Sequence, residues 1–426
     1  MGSRDFNISE QSAWFKEFYA KSSEVAINKD APLASMFMRN KNVEWVGKNF
    51  VAPVRFGFGV GLGYRSRGEN LPAPRAAPYE DAIFTAKRAY ATAEFDREAI
   101  KASRNDKGAF GKATLENVES TVQGFNVHMM ERALFGNGTG VLGELVSVAS
   151  GAGTSSSPWV LNMDVAPAAA STPKFKARYF PIGAALDLHT SAGVYQLTLR
   201  VVSSSQPNLT VTVVLERSGA VVTPVAGDLF YWEGNKGKEC VGLAQICPST
   251  SGTLYGISQS DYTDFAGGYL NLAGGSLAYD DLNNIVEATR DRSGLDANFG
   301  ITSAKGISVL KNLSEDLKRY NSIEMKSWDG KAGFKGIEII TGSGSFGIMS
   351  SQMCPDDELY IGNTKHAQLV MREDFGWFDD DGTVLLRDPN KDVYASRYGG
   401  YFELFCNKPN SFYRITGFAT PAGLNS

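Results

Sequence analysis

The stretch VAPVRFGFGVGLGYRSRGENLPAPRAAP, residues 51–78, decides the fold. Glycine recurs at every second position from Gly57 to Gly63, between apolar residues, and a period of two is the signature of an extended strand. Gly68, Pro72, Pro74 and Pro78 then forbid a helix and mark an open loop tip. AIFTAKRAYATAEF, residues 82–95, reads as the returning strand. Residues 50–96 thus form a long two-stranded excursion whose tip carries Arg65, Arg67, Glu69 and Arg75. An isolated hairpin is marginal in water, so one with a bare, charged end is best explained by support from another chain. The competing reading packs it on its own domain.

On the N-terminal side, Asn7 and Glu10 stand at capping-box spacing, and Trp14 with Phe18 and Phe15 with Tyr19 form two i, i+4 aromatic pairs. A short amphipathic helix follows, with little of its own domain to pack on. Residues 1–49 therefore read as an arm that a neighbouring surface must cover.

On the C-terminal side, Asn105 and Asp106 cap a helix that runs to Phe135. Leu115, Val118, Val122, Phe125, Met129 and Ala133 give it one apolar stripe about 40 Å long, which predicts a sheet or flat surface lying along it. Residues 145–172, rich in Ala, Ser and Gly, read as a linker, and 174–234 as a small inserted all-β unit of alternating strands. Residues 235–370 alternate helices, at 279–291 and 303–320, with strands at FGIT, GIEII, FGIMS and ELYIG. In the last stretch, 371–426, FGWFDDDGTVLLRD predicts a hairpin turning at Asp381 and Gly382, before strands at YFELFC and FYRITGF. The fold class is α+β.

Composition narrows the function. The 426 residues are 43% hydrophobic and 21% charged, as in a globular protein, and the formal charge of −4 argues against a surface built throughout to hold phosphate backbone. The N-terminus lacks an apolar signal region, and no apolar run reaches the roughly 18 residues of a membrane span. Cys240, Cys247, Cys354 and Cys406 form no C-x-x-C and the three histidines are scattered, so neither a zinc site nor a disulfide framework is indicated.

Each catalytic motif fails on its chemistry. RALFGNGTGVLG, residues 132–143, holds a literal G-x-G-x-x-G in Gly138, Gly140 and Gly143, and a nucleotide-dependent oxidoreductase rests on these residues alone. A dinucleotide fingerprint follows a strand and opens a helix, whose free N–H groups meet the phosphates. Here the glycines follow a helix, and Gly136 falls where a left-handed C-terminal cap is wanted. GAFGKAT lacks a P-loop's first glycine and its Ser or Thr. The carboxylates Asp379, Asp380 and Asp381 lack the flanking ligands of a calcium loop. DFG at 374–376 comes without the other kinase elements. No cofactor is expected, and a structural protein is the leading reading.

Taken in order, the segments resemble the major capsid proteins of tailed bacteriophages with the Hong Kong 97 fold. VAPVRFGFGVGLGYRSRGENLP is similar to that family's extended loop, and residues 101–142, ending in ALFGNGTGVL, to its long spine helix and following turn. GFKGIEII, CPDDELYIGNTKHAQLV and residues 374–417 are similar to its closing strands. The resemblance implies an N-terminal arm and extended loop reaching across neighbours, a peripheral domain around the spine helix at 97–150, an axial domain at 235–370, and C-terminal strands returning to the peripheral domain. It implies a non-enzymatic subunit that forms pentamers and hexamers of an icosahedral shell in the bacterial host cytoplasm. Scaffolding and portal proteins are its implied partners, a cement or decoration protein is admitted, packaged double-stranded DNA is contacted non-specifically, and no membrane is involved. Trp14, Phe18, Arg65, Arg67, Glu69, Arg75 and the acidic run Asp379 to Asp381 are the candidate inter-subunit contacts. The rival readings are an encapsulin-type nanocompartment shell and a β-rich adhesin or carbohydrate-binding protein built on 174–234.

Overall fold

The structure, a computed structural model, describes residues 31–41, 45, 47–96, 118–164, 172–219, 223–316, 337–341, 344–379, 384, 386–387 and 393–420. Trp14, Phe18, Asp380, Asp381 and the expected helix start at Asn105 lie outside the described residues.

The chain enters through a short helix, Pro32–Met36, and β1 (Met38–Asn40), followed by β2 (Asn49–Arg55), β3 (Tyr79–Thr85) and β4 (Lys87–Asp96). A helix spans 118–135, and β5 (Gly143–Ser150), β6 (Trp159–Met163), β7 (Ala185–His189), β8 (Tyr195–Ser205), β9 (Thr210–Ser218) and β10 (Leu229–Trp232) follow. After the two-residue strands β11 (Thr253–Leu254) and β12 (Ile257–Ser258) come β13 (Gly268–Asn271), β14 (Phe299–Thr302), β15 (Ile337–Thr341), β16 (Gly344–Ser350) and β17 (Glu358–Gly362). The last strands are β18 (Ala367–Trp377), β19 (Leu386–Arg387), β20 (Val393–Cys406) and β21 (Phe412–Thr416).

The helix at 118–135 lies on a five-stranded sheet in which β20 is flanked by β4 on one side and by β18 and β19 on the other, with β1 parallel to β18. Ala89 and Ala91 of β4 let the helix come close, and Phe125 packs edge-on to Phe375 and Tyr398 at 5.6 and 5.1 Å. This is the expected spine helix on its sheet, with one departure. Phe125–Glu131 is π-helical, and the extra residue per turn moves the buried face from the expected Met129 to Met130.

Two expectations are overturned nearby. Gly136 is extended (φ −72°, ψ 179°) rather than left-handed; Gly138 and Gly140 carry the positive φ instead, because the chain turns only after passing under Gly242. Residues 145–164 are not a linker. β5 and β6 are walls of a closed barrel in the order β10-β5-β6-β9-β8-β7, so the β unit begins at Gly143. The small-residue composition reflects the β5–β6 turn, where a side chain at Gly153 would strike the Trp159 ring at 2.6 Å.

The other large sheet, β13-β21-β17-β14-β16-β15, carries the helices Tyr279–Ser293 and Ala304–Asp316, close to the expected ranges. The C-terminal stretch does not return to one place. β20 joins the spine-helix sheet, whereas β21 pairs with β17 and β13 here. β18 and β19 both run antiparallel to β20 and hence parallel to each other, so FGWF and LLR are not the two arms of a hairpin.

Candidate interface site

The excursion at 50–96 has a root and a free end. β2 and β3 pair antiparallel from Asn49↔Thr85 to Arg55↔Tyr79. Phe50 and Phe84 turn inward onto Phe405 at 5.5 Å each, and Phe84 also meets Tyr255 at 5.2 Å. The root is therefore packed on its own chain. The returning strand breaks at Ala86, and β4 belongs to the spine-helix sheet.

Beyond Arg55 the ladder stops, because Pro72, Pro74 and Pro78 have no N–H to donate. The two arms continue side by side through the glycines. A Cβ at Gly59 would lie 2.9 Å from the Arg75 carbonyl oxygen, and one at Gly61 2.8 Å from that of Ala73. The glycine alternation thus serves close backbone approach, and the intervening side chains point away from the returning arm. Phe58 (75% exposed), Val60 (61%), Leu62 (82%) and the fully exposed Tyr64 form a single uncovered apolar row. At roughly 3.3 Å per residue the row is about 20 Å long. The ribbon's last ring contacts with its own body are those of Phe56, stacked on Tyr262 at 4.2 Å and edge-on to Phe265 at 5.4 Å.

The tip charges divide into two kinds. The Arg65 guanidinium donates to the carbonyls of Asn70 (2.9 Å) and Tyr64 (3.2 Å), and the Ser66 N–H donates to the Glu69 carboxylate at 2.9 Å, around Gly68 at φ +89°. Arg65 and Glu69 therefore shape the turn. Arg67 and Arg75 are exposed and form no ion pair among the described residues. Asp379 is half-buried just past β18.

Sequence reasoning missed the buried charges that lock the body behind this ribbon. Arg132 and Glu239 form a bidentate pair at 3.0 and 2.6 Å, joining the spine helix to the loop leaving the barrel. Arg414 and Glu358 pair inside the six-stranded sheet, and Lys176 with Asp356 (3.2 Å), together with the more exposed Lys174 with Asp357 (2.6 Å), tie the barrel's β6–β7 connection to it. Glu403 accepts from the backbone N–H groups of Val241 and Leu404, and burial pushes its pKa up to about 8. His128 is held near 4 by burial, with the Arg132 charge adding to the effect. Their only signal in the sequence is the Glu131-Arg132 pair inside an otherwise apolar helix end.

The glycines of RALFGNGTGVLG lead from the C-terminal end of a helix into β5, so helix carbonyls rather than N–H groups face that turn. Among the described residues, no three His, Cys, Asp or Glu side chains gather as a metal site, and no helix is long and apolar enough to cross a membrane.

No family model and no curated protein matches the sequence. Among solved structures, the chain is similar to the subunit of the cyanophage A-1(L) capsid asymmetric unit, at 12% identity over 92% of this chain and 93% of that one, with a TM-score of 0.50. Also similar are the capsid of a native GTA particle (10% identity, 92% and 90% covered, TM-score 0.45) and Gordonia phage Cozz (10%, 92% and 87%, 0.45). The first likeness, along nearly the whole of both chains, shows an α+β fold of the Hong Kong 97 capsid type.

Proposed function

We propose, from this capsid-type fold, that the chain is the major capsid protein of a tailed bacteriophage, a non-enzymatic subunit that self-assembles into an icosahedral shell around double-stranded DNA. One observation carries the reading: the apolar row Phe58, Val60, Leu62 and Tyr64 stands on a ribbon whose own chain leaves it uncovered. Removing such side chains from water contributes about 1.5–3 kcal/mol each, so a ribbon that is costly alone becomes stabilising once a neighbour closes over it.

Pentamers and hexamers are the units in which that neighbour is supplied, with Arg67 and Arg75 at the contact and Trp14 and Phe18 of the arm completing it. Assembly takes place in the host cytoplasm on scaffolding and portal proteins, a cement protein is accommodated outside, and the product is the virion shell. The barrel shares one continuous apolar core with the spine helix, which supports a bracing role rather than that of an independent adhesin module.

A compact monomer of this length has a radius of gyration of about 22 Å. Negative-stain microscopy of the overexpressed chain is expected to show closed particles. A monodisperse globule of that radius at high concentration would overturn the reading. Nucleic acid inside phage-derived particles distinguishes the capsid from an encapsulin-type compartment, which would hold protein cargo.

A further inference from the structure

A cavity of about 410 Å³ opens where the spine helix ends, between the start of β4, the barrel strand β10 and the loop that runs on to Gln245. The turn after the helix lines it, so glycines that fail as a dinucleotide fingerprint border a cavity of another kind. Gly138 has φ +76°, and a Cβ there would lie 2.7 Å from Gln245 Oε1. Only glycine leaves the Gln245 carboxamide room at this wall.

Three lining groups stand without partners among the described residues. Lys87, opposite Phe402 on β4, is half-buried and forms no ion pair or hydrogen bond. Tyr231 is only 4% exposed and packs edge-on to His189 at 5.1 Å, yet its hydroxyl bonds to nothing. The Gln245 side chain is likewise unbonded. Enclosed polar groups in native proteins are nearly always satisfied, so a phenol this enclosed, bordering a cavity beside an unpaired lysine, points to a ligand.

The lining favours a single negative charge. Glu239, the carboxylate among the lining residues, is already balanced by the two Arg132 contacts and the Asn235 amide at 2.7 Å. The Lys87 charge also reaches Glu403, but burial pushes that carboxyl's pKa up to about 8 and leaves the lysine uncompensated at neutral pH. A phosphate dianion is best held by several N–H donors, whereas helix carbonyls face this turn. One ammonium with two neutral donors matches one carboxylate. The Tyr231 ring and Val241 supply an apolar wall for the body that carries it.

We propose that this cavity binds a carboxylate carried on a small apolar body, with the carboxylate on the Lys87 ammonium and the Tyr231 hydroxyl and the apolar part against Val241. A free organic acid and a peptide end present the same group. The inference is independent of the shell reading, since every lining residue belongs to one chain.

Fluorine NMR on the full chain tests it, with 4-fluorobenzoate as the free acid and N-acetyl-4-fluorophenylalanine as the peptide end. At least one is expected to bind with a Kd of about 0.1–1 mM, and the tighter of the two identifies the source. Lys87→Met and Tyr231→Phe are each expected to weaken binding about tenfold or more. Arg200→Met, on the exposed outer face of the barrel, leaves it unchanged. Tyr231→Phe deletes a single hydroxyl and keeps the melting temperature, so the test holds even where Lys87→Met fails to fold. Absence of binding by either probe at about 10 mM would overturn the site. So would equal binding of the uncharged 4-fluorobenzamide, full affinity in Tyr231→Phe and in folded Lys87→Met, or displacement by inorganic phosphate at the probe's own concentration.

Discussion

The two carboxylate oxygens of Glu131 accept the backbone N–H of Leu33, 98 positions earlier, at 3.2 and 3.0 Å. The same carboxylate takes the Ala34 N–H at 3.2 Å and the Ser351 hydroxyl at 2.7 Å. One side chain in the π-helical stretch of the spine helix therefore joins the incoming N-terminal segment to the residue that follows β16. Glu131 is fully buried and pairs with no cation among the described residues, and burial pushes its pKa up to about 7 against the pull of those donors.

That shift fixes a pH dependence. Glu131 titrates near 4.5 when unfolded and at about 7 when folded, so the folded state holds the extra proton between those values. Its contribution to stability is full below the lower value and is lost as pH rises through the upper one; Glu403 behaves alike up to about 8. The unfolding free energy of the unassembled subunit, and with it the urea midpoint, is expected to fall from pH 5 to pH 8, the free energy by up to about 1.4 kcal/mol per pH unit for each group. Glu131→Gln should flatten the lower part of the curve. A midpoint that climbs over this interval would contradict the assignment.

Arg132 and Glu239 are both buried, so deleting one leaves an uncompensated charge. Arg132→Met alone is expected to destabilise the subunit by about 3–5 kcal/mol, whereas Arg132→Met with Glu239→Leu should recover much of that loss. Denaturation of the four members of the double-mutant cycle measures it, and equal losses in the single and the double variant would show that packing, not charge, is at stake.

Gly61 faces the Ala73 carbonyl oxygen across the ribbon. Gly61→Val must push the arms apart, yet it touches nothing in the body. Circular dichroism and the melting temperature of the subunit are expected to be unchanged while particle yield drops at least about tenfold, the equivalent of roughly 1.4 kcal/mol per subunit contact. A lowered melting temperature would place the ribbon within the subunit's own core.

Much of this architecture is legible in local periodicity, and the departures have physical causes. Val118, Val122 and Phe125 announce the spine helix because a single face is buried, but nothing in that pattern reports the π-helical stretch that substitutes Met130 for Met129. The strict glycine alternation does mark an extended ribbon. Its reason, backbone approach in place of a ladder, appears only when Pro72 to Pro78 lie opposite. Residues 145–172 look like a linker because a tight turn over Trp159 needs glycines, and the strands on either side of Asp381-Gly382 look like a hairpin in sequence but are not one, because β18 and β19 share β20 as their partner. Glu131 and Glu403 are hardest to read. A charged residue is assumed to face water, and only the backbone donors brought to it by distant segments make its burial tolerable.

The segment beginning at Ala31 gives the arm a fixed origin. Ala31, Leu33, Ala34 and Phe37 are buried, and Glu131 clamps the first two N–H groups after Pro32. Ala31 is thus held at a fixed point, and on the proposed shell reading Trp14 and Phe18 contribute about 1.5–3 kcal/mol for each side chain buried against a neighbour. Trp14→Ala with Phe18→Ala is therefore expected to lower particle yield without altering the subunit's melting temperature, because the clamp at Leu33 is untouched. Particle counts by negative-stain microscopy beside thermal melts of the unassembled subunit separate the outcomes. Undiminished shells would remove the arm from assembly, and a lowered melting temperature would return those side chains to the subunit's own core.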